Sequence, residues 1–439
     1  MATLKRYQIV LFFLLLGITF LLFLNSINSR YAFLDDAVML RSEKRHALKD
    51  LSVKNVINTF KYSHEGLYHP IVTISYTVEK ALFGFTPELF HFDNVILHLI
   101  NVTLVFLIFF AITKSFWLSF VVMALFAVHP TRVEVVAWIT ARKDLLYSVF
   151  YLSAMLFYVK TYTSDKTKRL MLLSAVCFIL ACFSKPMAIT LPFVLLLLDF
   201  YTGNLSVKRI KFYFVYLIVS VIFIITAVNI HYSDDFIKYN FTIFYHFINF
   251  INAHFHILFY FDKLILPIKL YCMYPLFYNL KTMPPYYILY SPAVLYIIIY
   301  FVFLSLRRTK LFFFGFMFFF ITILPASSIL HIGDFVVADR YTYVPYLGLF
   351  FIISNLIKHV YIKVKDKKNI KTLFISVCLI IFVTFCGLSY RRTIDWQNNE
   401  YEPPYKMKYY YFGFSPKKQS KKKLNITYTK TTSTKTTSI

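Results

Sequence analysis

The chain alternates between long apolar runs and short charged segments. Eleven apolar runs of 15 to 21 residues carry almost no charged side chains. Because a helix needs roughly 20 apolar residues to cross a bilayer, this pattern predicts an all-α, polytopic membrane protein with about 11 transmembrane helices. The predicted spans are 7–24, 93–113, 115–130, 145–162, 170–184, 187–201, 212–230, 285–305, 311–328, 341–357 and 372–389.

The positions of Lys and Arg between these spans predict how the chain is oriented. With the N-terminus in the cytoplasm, the cytoplasmic loops hold 19 basic residues and three acids, in agreement with the positive-inside rule. The C-terminus is then extracytoplasmic. A further span at 245–266 would place the basic clusters 307–310 and 358–371 outside. We therefore predict that 245–266 is a re-entrant or interfacial helix on the outer side.

The composition supports a membrane protein and excludes other classes. Hydrophobic residues make up 59% of the chain and charged residues 15%, against about half and a quarter in soluble domains. The formal net charge of +26 would indicate nucleic-acid binding in a soluble protein. Here the sorting of Lys and Arg across the membrane explains most of it, so we expect no nucleic-acid partner. Five cysteines in 439 residues are too few for a disulfide scaffold.

The predicted topology divides the chain into a membrane domain, 1–400, and a basic, Ser/Thr-rich tail, 401–439, for which we predict disorder. Two large outer loops leave the membrane domain, at 26–92 and 231–284. The first loop contains an apolar stripe at helical spacing, which predicts an amphipathic helix on the membrane surface. The stripe consists of Val53, Val56, Ile57 and Phe60.

Two adjacent carboxylates, Asp35 and Asp36, follow the first span. Near a membrane surface they repel each other and lose solvation, which raises the pKa of one of them and favours a general base or a metal site. Two neighbouring acids are more often an acidic loop or a helix cap, and the residues alone leave that interpretation open.

A second polar group lies in the short outer loop at 131–144. Its ionisable residues are Arg132, Glu134, Arg142, Lys143 and Asp144, just after His129. Basic residues on the outer face run against the positive-inside rule, and binding of a phosphate anion would explain them. A structural network of Arg–Glu and Lys–Asp pairs explains them equally well.

Two more charged motifs lie at the outer membrane boundary. Lys185 stands between two apolar runs, where it either binds a lipid phosphate or extends its ammonium group toward water. Asp339 and Arg340 precede a span. We expect these two side chains to pair and to anchor the helix at the interface.

The polar motifs belong to longer blocks that follow one another along the chain. These are Phe33-Leu-Asp-Asp36, Tyr68-His-Pro70, Leu82-Phe-Gly84, Phe92-Asp-Asn-Val-Ile-Leu-His-Leu-Ile-Asn101, Ala124-Leu-Phe-Ala-Val-His-Pro-Thr-Arg-Val-Glu134, Val136-Ala-Trp138, Arg142-Lys-Asp-Leu145, Ser184-Lys-Pro186, Thr190-Leu-Pro192, Leu198-Asp199, Leu324-Pro325 and Ala338-Asp-Arg-Tyr-Thr-Tyr343. Their order resembles the family of transmembrane and tetratricopeptide repeat-containing protein O-mannosyltransferases, with its bacterial relatives. The resemblance covers roughly residues 8–396.

The resemblance implies a fold and an activity. Members of the family have the GT-C fold, a bundle of membrane helices with a catalytic first outer loop. They are similar to enzymes that move a sugar from a polyprenyl-phosphate carrier to an acceptor hydroxyl. In the animal members the donor is dolichyl-phosphate mannose and the acceptor is Ser or Thr. This sequence departs from the family in lacking tetratricopeptide repeats after the last span, and in having Tyr68-His-Pro70 where relatives often show Tyr-Arg-Pro.

We therefore expect a glycosyltransferase that moves a sugar, mannose before others, from a polyprenyl-phosphate donor to a protein Ser or Thr hydroxyl on the extracytoplasmic side. The expected general base is Asp36 or Asp35. The residues expected to bind the donor phosphate are Arg142, Lys143, Lys185 and Arg340. Those expected to support the site are His129, Arg132, Glu134, Asp144 and Asp339.

Other properties stay open at this point. Beyond the lipid-linked sugar no cofactor is implied, and the residues do not decide whether a divalent metal takes part. A separate tetratricopeptide protein is a candidate partner beside the protein or glycan acceptor. The membrane is a bacterial inner membrane or the endoplasmic reticulum. Three alternatives are transfer of another sugar to a lipid or glycan, a transporter or flippase, and an inactive relative of the family. The ionisable residues cluster at the outer boundary, whereas transporters typically carry them near the midplane.

Overall fold

The computed structural model describes residues 5–29, 36, 50–62, 68–84, 86–231, 243–272, 274, 286–327 and 337–398. All regular secondary structure in these ranges is helical, which confirms the all-α prediction for them. The α-helices are α1 (Arg6–Ile27), α2 (Val53–Lys61), α3 (Pro70–Phe83), α4 (Pro87–Thr113), α5 (Phe116–Val128), α6 (Val133–Ala137), α7 (Arg142–Lys160), α8 (Thr167–Ser184), α9 (Leu191–Thr202), α10 (Val207–His231), α11 (Ile243–Ile265), α12 (Tyr286–Leu289), α13 (Ser291–Ser305), α14 (Leu311–Ile323), α15 (Tyr346–Val364) and α16 (Lys368–Gln397). Short 3₁₀ turns cover Pro130–Arg132, Ile139–Ala141, Pro186–Thr190, Leu324–Ala326 and Asp339–Thr342.

Six of the described helices are long and apolar enough to cross a membrane, namely α1, α4, α8, α10, α15 and α16. A seventh candidate is α5 together with Pro130–Ala137, which are bent by 56° relative to each other. Each of the eleven apolar runs coincides with a helix or a pair of helices. The chain is therefore of the multi-pass membrane type, while the number of eleven crossings and the orientation of the termini stay predictions.

The bend after α5 begins at Pro130, whose ring leaves it no backbone N–H to donate. A break inside a membrane bundle leaves carbonyl groups that need donors from elsewhere. The last helix, α16, supplies two of them. Ser389 Oγ donates to the Val128 carbonyl at 2.7 Å, and Arg392 Nη1 donates to the Pro130 carbonyl at 3.0 Å. The bend is thus a stabilised feature that turns the chain toward the following polar segment.

Helices α14 and α15 cross at two glycines, Gly315 and Gly348. A Cβ atom on either glycine would overlap the carbonyl oxygen of the other. Small residues at such crossings allow two backbones to touch, which is a common way for helices to pack in membranes. Because α15 follows directly on the turn Asp339–Thr342, this crossing helps to fix the position of that turn.

The apolar stripe at 53–60 lies in helix α2, and the placement of this helix on the membrane surface stays a prediction. Ser52 caps it by accepting a hydrogen bond from the Asn55 amide at 3.4 Å. Its apolar residues Val53 and Ile57 are exposed, while its polar Asn55 and Thr59 are buried against the protein. An outward apolar face fits a helix that lies on a membrane.

The segment 245–266 forms most of α11, and its re-entrant placement stays a prediction. The tail 401–439 lies outside the described residues.

Candidate active site

The candidate site is built around the turn 136–141, which joins α6 to α7 and consists of the end of α6, the extended residue Trp138 and the 3₁₀ turn Ile139–Ala141. Asp36 is fully buried, and its Oδ1 accepts a hydrogen bond from the Thr140 amide at 3.0 Å. The first outer loop and the 131–144 loop, which are separated by roughly one hundred positions in sequence, therefore meet at this carboxylate. Asp35 lies outside the described residues.

The turn is held from behind by Asn94 of α4 and Tyr76 of α3. Asn94 Nδ2 lies 3.1 Å from the Trp138 carbonyl and 3.5 Å from the carbonyls of Val136 and Ile139. The Tyr76 hydroxyl donates to the Ile139 carbonyl at 2.8 Å. The Trp138 and Ile139 carbonyls also accept the backbone amides of Ala141 and Arg142, so these two side chains provide additional donors to the turn.

Arg142, at the start of α7, is fully buried and is bound by protein groups on every side. Its Nε donates to Asn94 Oδ1 at 3.0 Å and its Nη2 to the Phe90 carbonyl at 2.9 Å. Its Nη1 pairs with the Glu79 carboxylate, and the guanidinium lies 4.6 Å from the centre of the Tyr76 ring. Arg142 thus ties α3, α4 and α7 together. Its expected contact with a donor phosphate stays a prediction.

The pKa of Glu79, the acidic partner of Arg142, is perturbed. Burial raises this pKa to about 8, against the opposing effect of the positive charge on Arg142. Glu79 lies on α3, in the predicted first outer loop. Sequence analysis did not single it out, because one glutamate in an amphipathic helix carries no motif.

The expected Asp339–Arg340 pair does not form. Arg340 Nη1 instead pairs with Glu134 Oε1 at 2.5 Å, and the Arg340 backbone amide donates to Glu134 Oε2 at 3.1 Å. Asp339 Oδ2 pairs with Arg392 Nη2 at 2.6 Å, and Asp339 Oδ1 accepts from the Tyr274 hydroxyl at 2.6 Å. The 3₁₀ turn points the two adjacent side chains to different partners.

Three cations surround the rings of Trp138 and Tyr341. Arg340 lies over both rings, with its Cζ 5.2 Å and 5.1 Å from their centres. Lys143 Nζ is 5.9 Å from the Trp138 ring, and Lys185 Nζ is 5.5 Å from the Tyr341 ring. The structure therefore brings together three of the four residues expected to bind phosphate. We call Lys143, Lys185 and Arg340 the cation cluster.

Lys185 also pairs with Asp144, which is buried at the start of α7. Burial lowers the pKa of Lys185, and the Asp144 charge opposes this effect. This Lys–Asp pair and the Glu134–Arg340 pair both belong to the structural network that the residues left open as an alternative. Pairing and ligand binding are compatible here, because each ammonium or guanidinium group has several donors.

Several polar atoms near the cation cluster are buried without a hydrogen-bond partner among the described residues. They are Asp144 Oδ2, Thr140 Oγ1 and Trp138 Nε1. Buried polar atoms are nearly always hydrogen-bonded in folded proteins, so a group of exceptions beside a buried carboxylate is typical of a ligand site. The arrangement offers donors and positive charge to an anion, and a carboxylate to a hydroxyl.

The remaining predicted residues support the chain around the bend. His129 Nε2 donates to the Leu264 carbonyl at 3.1 Å, and its Nδ1 lies 2.9 Å from Thr131 Oγ1. Arg132 Nη2 donates to the Thr342 carbonyl at 3.1 Å. Its guanidinium is enclosed by the rings of Phe126, Tyr343, Tyr346 and Phe350. Within the described part of the chain, no group of three or more His, Cys, Asp and Glu side chains has the arrangement of a metal site.

No family model matches the chain. Among curated proteins, it is 38% identical over 100 residues to protein O-mannosyl-transferase TMTC1 of Mus musculus, an alignment that covers 23% of this chain and 10% of that protein. It is 32% identical over 150 residues to Tmtc1 of Drosophila melanogaster, covering 32% and 17%. It is 26% identical over 348 residues to protein O-mannosyl-transferase F38B6.6 of Caenorhabditis elegans, covering 76% and 47%. The resemblance inferred from the motifs is thereby confirmed, although the alignments span less than half of each relative's length.

Among solved structures, the chain is similar to an Archaeoglobus fulgidus oligosaccharyltransferase tethered with an acceptor peptide. The TM-score is 0.50 at 13% sequence identity, and the alignment covers 95% of this chain and 60% of that one. At this identity the similarity shows a shared fold. This shared fold agrees with the bundle of membrane helices that the family resemblance implies.

Proposed function

We propose that this chain is a glycosyltransferase that moves mannose from a polyprenyl-phosphate donor to a Ser or Thr hydroxyl of a protein, on the extracytoplasmic side of its membrane. One observation carries the proposal. The turn that binds Asp36 through the Thr140 amide also contains Trp138, the ring on which Lys143 and Arg340 converge. A carboxylate that can act as a base and cations that can bind a phosphate therefore share one short segment.

The reaction needs one bond to break and one to form at the anomeric carbon. The bond between this carbon and the phosphate oxygen breaks, and the lipid phosphate leaves with the bonding electron pair. Negative charge grows on that phosphate, and the cation cluster would stabilise it in a site where water is scarce. Arg142, which is occupied by Glu79, Asn94 and Phe90, would act indirectly by holding the site together.

The new bond joins the acceptor hydroxyl oxygen to the anomeric carbon from the opposite face, so the configuration inverts. The hydroxyl proton passes to Asp36 as the bond forms. Such general-base assistance contributes on the order of 10²–10⁴-fold in rate. Asp36 already accepts the Thr140 amide on Oδ1, and this hydrogen bond fixes the orientation of the carboxylate.

The comparisons support the sugar and the acceptor class by analogy. The matching curated proteins are described as protein O-mannosyl-transferases, and the oligosaccharyltransferase was studied with an acceptor peptide. The polyprenyl-phosphate donor and a separate tetratricopeptide partner come from the family resemblance.

The test is a transfer assay with purified protein in liposomes, using radiolabelled polyprenyl-phosphate mannose and a Ser/Thr-rich acceptor peptide. We expect label in the peptide at a rate that depends on protein concentration. Movement of the donor lipid between leaflets without transfer would instead support the flippase alternative. Label appearing only in lipid or glycan would support the other transferase class.

The role of the cation cluster is tested by Lys143→Met, because Lys143 is half-buried and lies beside the Trp138 ring. We expect the KM for the donor to rise about tenfold, as one charge–phosphate contact is worth roughly 1–2 kcal/mol. Lys160→Met is the matched control, since Lys160 is exposed at the other end of α7. Equal effects of the two substitutions would contradict the phosphate assignment.

A further inference from the structure

We infer that Asn94 is a positioning residue, which fixes the turn 136–141 and thereby orients Asp36 through the Thr140 amide. The inference rests on the proposed function as far as Asp36 is the base of the reaction. Its structural part, that Asn94 determines the conformation of the turn, does not depend on the activity.

The first argument is the geometry of the Asn94 amide. Asn94 is fully buried in α4, and its Nδ2 reaches three carbonyls of the same turn at 3.1 to 3.5 Å. The two N–H groups of this amide thus face the carbonyl oxygens of three residues, Val136, Trp138 and Ile139. Trp138 has extended backbone angles, with φ −97° and ψ 119°, so the helix is interrupted there. The Trp138 carbonyl also accepts the Ala141 amide at 3.1 Å, and the Asn94 amide adds a side-chain donor that ties this interrupted segment to α4.

The second argument is that the amide has only one possible orientation. Arg142 Nε lies 3.0 Å from Asn94 Oδ1, and a guanidinium can only donate hydrogen bonds. The oxygen of Asn94 must therefore face Arg142, and the NH₂ group must face the turn. Arg142 is in turn fixed by Glu79 and the Phe90 carbonyl. A chain of contacts leads from α3 and α4 through Asn94 to the turn.

The third argument links the turn to the reaction. The Thr140 N–H that binds Asp36 belongs to the same planar peptide group as the Ile139 carbonyl, which Asn94 and Tyr76 contact. A base must stand within hydrogen-bond reach of the proton that it accepts. A shift of about 1 Å in its position can cost on the order of 10²-fold in rate.

The chain contains a matched control in Asn101, two helical turns further along α4. Asn101 is also fully buried, and its Nδ2 also donates to a backbone carbonyl, that of Leu145, at 3.1 Å. The carbonyl that it binds lies beyond the turn 136–141. Asn94→Leu and Asn101→Leu therefore remove the same group from the same helix, and only the first acts on Asp36.

The kinetic test compares these variants in the transfer assay. For Asn94→Leu we expect kcat to fall about 10²-fold with the KM for the donor changed by less than about threefold, because the cation cluster is kept. For Asn101→Leu we expect kcat within about threefold of the unmodified protein. Tyr76→Phe removes a single hydroxyl from the same turn and should lower kcat about tenfold, which keeps the test valid if Asn94→Leu does not fold.

The conformational test needs no activity. Thr140→Cys is introduced into each background, and labelling of the introduced thiol by a water-soluble maleimide is followed by mass spectrometry. Thr140 is 4% exposed, so we expect slow labelling in the parent and in Asn101→Leu, and labelling at least about tenfold faster with Asn94→Leu. Equal labelling of the two variants, or equal losses of kcat, would overturn the inference. If the unmodified protein transfers no sugar, the proposed function fails, and the labelling result still decides whether Asn94 holds the turn.

Discussion

Helix α7 joins two buried carboxylate clusters, and their difference separates a candidate active site from a structural one. The helix is 19 residues long, or about 28 Å. Its first turn carries Arg142 and Asp144. Near its last turn, the hydroxyls of Tyr158 and Tyr162 donate to Asp199 at 2.7 Å and 2.6 Å. The Tyr213 hydroxyl also donates to Asp199, and Arg209 Nη1 lies 3.8 Å from its Oδ1.

Both clusters combine a buried carboxylate, aromatic rings and a cation, so residue type does not distinguish them. They differ in how far the carboxylates and the hydroxyls beside them are satisfied. Both oxygens of Asp199 have hydroxyl donors, whereas Asp144 Oδ2 and Thr140 Oγ1 have no partner among the described residues. Arg209 Nη1 in the Asp199 cluster also lacks a hydrogen-bond partner among the described residues, so the distinction rests on the carboxylates. A carboxylate whose two oxygens both accept hydrogen bonds contributes to stability. A carboxylate with a buried oxygen that lacks such a partner, as in Asp144, is suited to bind a ligand.

The strongest test of this distinction is Asp36→Asn. We expect the transfer rate to fall by about 10²–10⁴-fold, because the amide cannot accept the proton of the acceptor hydroxyl. The midpoint of thermal unfolding in detergent should change little, since the amide oxygen can still accept the Thr140 N–H. Full activity of this variant would show that Asp36 is not the base.

The opposite result is expected for Asp199→Ala. Removing this carboxylate leaves three tyrosine hydroxyls without their acceptor and Arg209 without its ion-pair partner, which should cost about 3 kcal/mol in the free energy of unfolding. The rate of transfer per folded molecule should stay within about twofold. Denaturant unfolding followed by circular dichroism measures the first quantity. Asp165→Ala, at an exposed acid near the end of α7, is the control. A loss of kcat without a loss of stability would make the Asp199 cluster a functional site.

The pH dependence of stability should reveal the buried Glu79. Its pKa is raised to about 8 in the folded protein, so between about pH 4.5 and 8 the folded state holds a proton that the unfolded state releases. Stability from this group is complete below the unfolded pKa and is lost as the pH rises toward 8, with a slope of at most about 1.4 kcal/mol per pH unit.

Glu79→Gln should remove that slope from the free energy of unfolding measured at a series of pH values. Glu88→Gln, which removes a glutamate in the first turn of α4, should keep it. A slope that survives in Glu79→Gln would mean that Glu79 is ionised in the folded protein and that its pair with Arg142 is fully charged.

The smallest expected effects come from two substitutions that each remove one hydroxyl. Thr140→Val removes a buried hydroxyl without a partner among the described residues, so stability should rise or stay the same, by up to about 1 kcal/mol, while transfer slows. Tyr162→Phe removes a hydroxyl that donates to Asp199 and should cost about 1 kcal/mol without slowing transfer. Thermal unfolding and kcat, measured on both variants, are the readout. If stability and kcat change in the same directions in the two variants, the two clusters do not differ in the way expected.

The helices were largely predictable from the sequence, because each predicted span is a continuous apolar run, and α2 could be read from its helical stripe. The meeting of Asp36 with the 131–144 loop was implied only by the family resemblance. The partners of Asp339 and Arg340 could not be predicted. Arg392 lies 53 positions after Asp339 inside an apolar helix, and adjacency in sequence favoured a pair that the 3₁₀ turn prevents.

The role of Asn94 was also not predicted, although the sequence contains a pattern that points to it. Asn94 and Asn101 are amides seven positions apart on one face of an otherwise apolar span, and a buried amide in a membrane helix needs a partner. What they bind depends on the break at Pro130, which turns the chain toward the segment 136–141, and on the extended backbone of Trp138. The sequence shows the proline, but the direction in which the chain bends there follows from packing against α16.

The contacts of α16 with the bend have a consequence for biogenesis. Ser389 and Arg392 provide the donors for Val128 and Pro130, and Arg392 neutralises Asp339. These residues are synthesised about 260 positions after the bend that they complete. During co-translational insertion the early helices can enter the membrane in order, but the bend and the Asp339 turn cannot reach their final arrangement before the last helix arrives. The region around the candidate active site is therefore completed only after the last helix has been inserted.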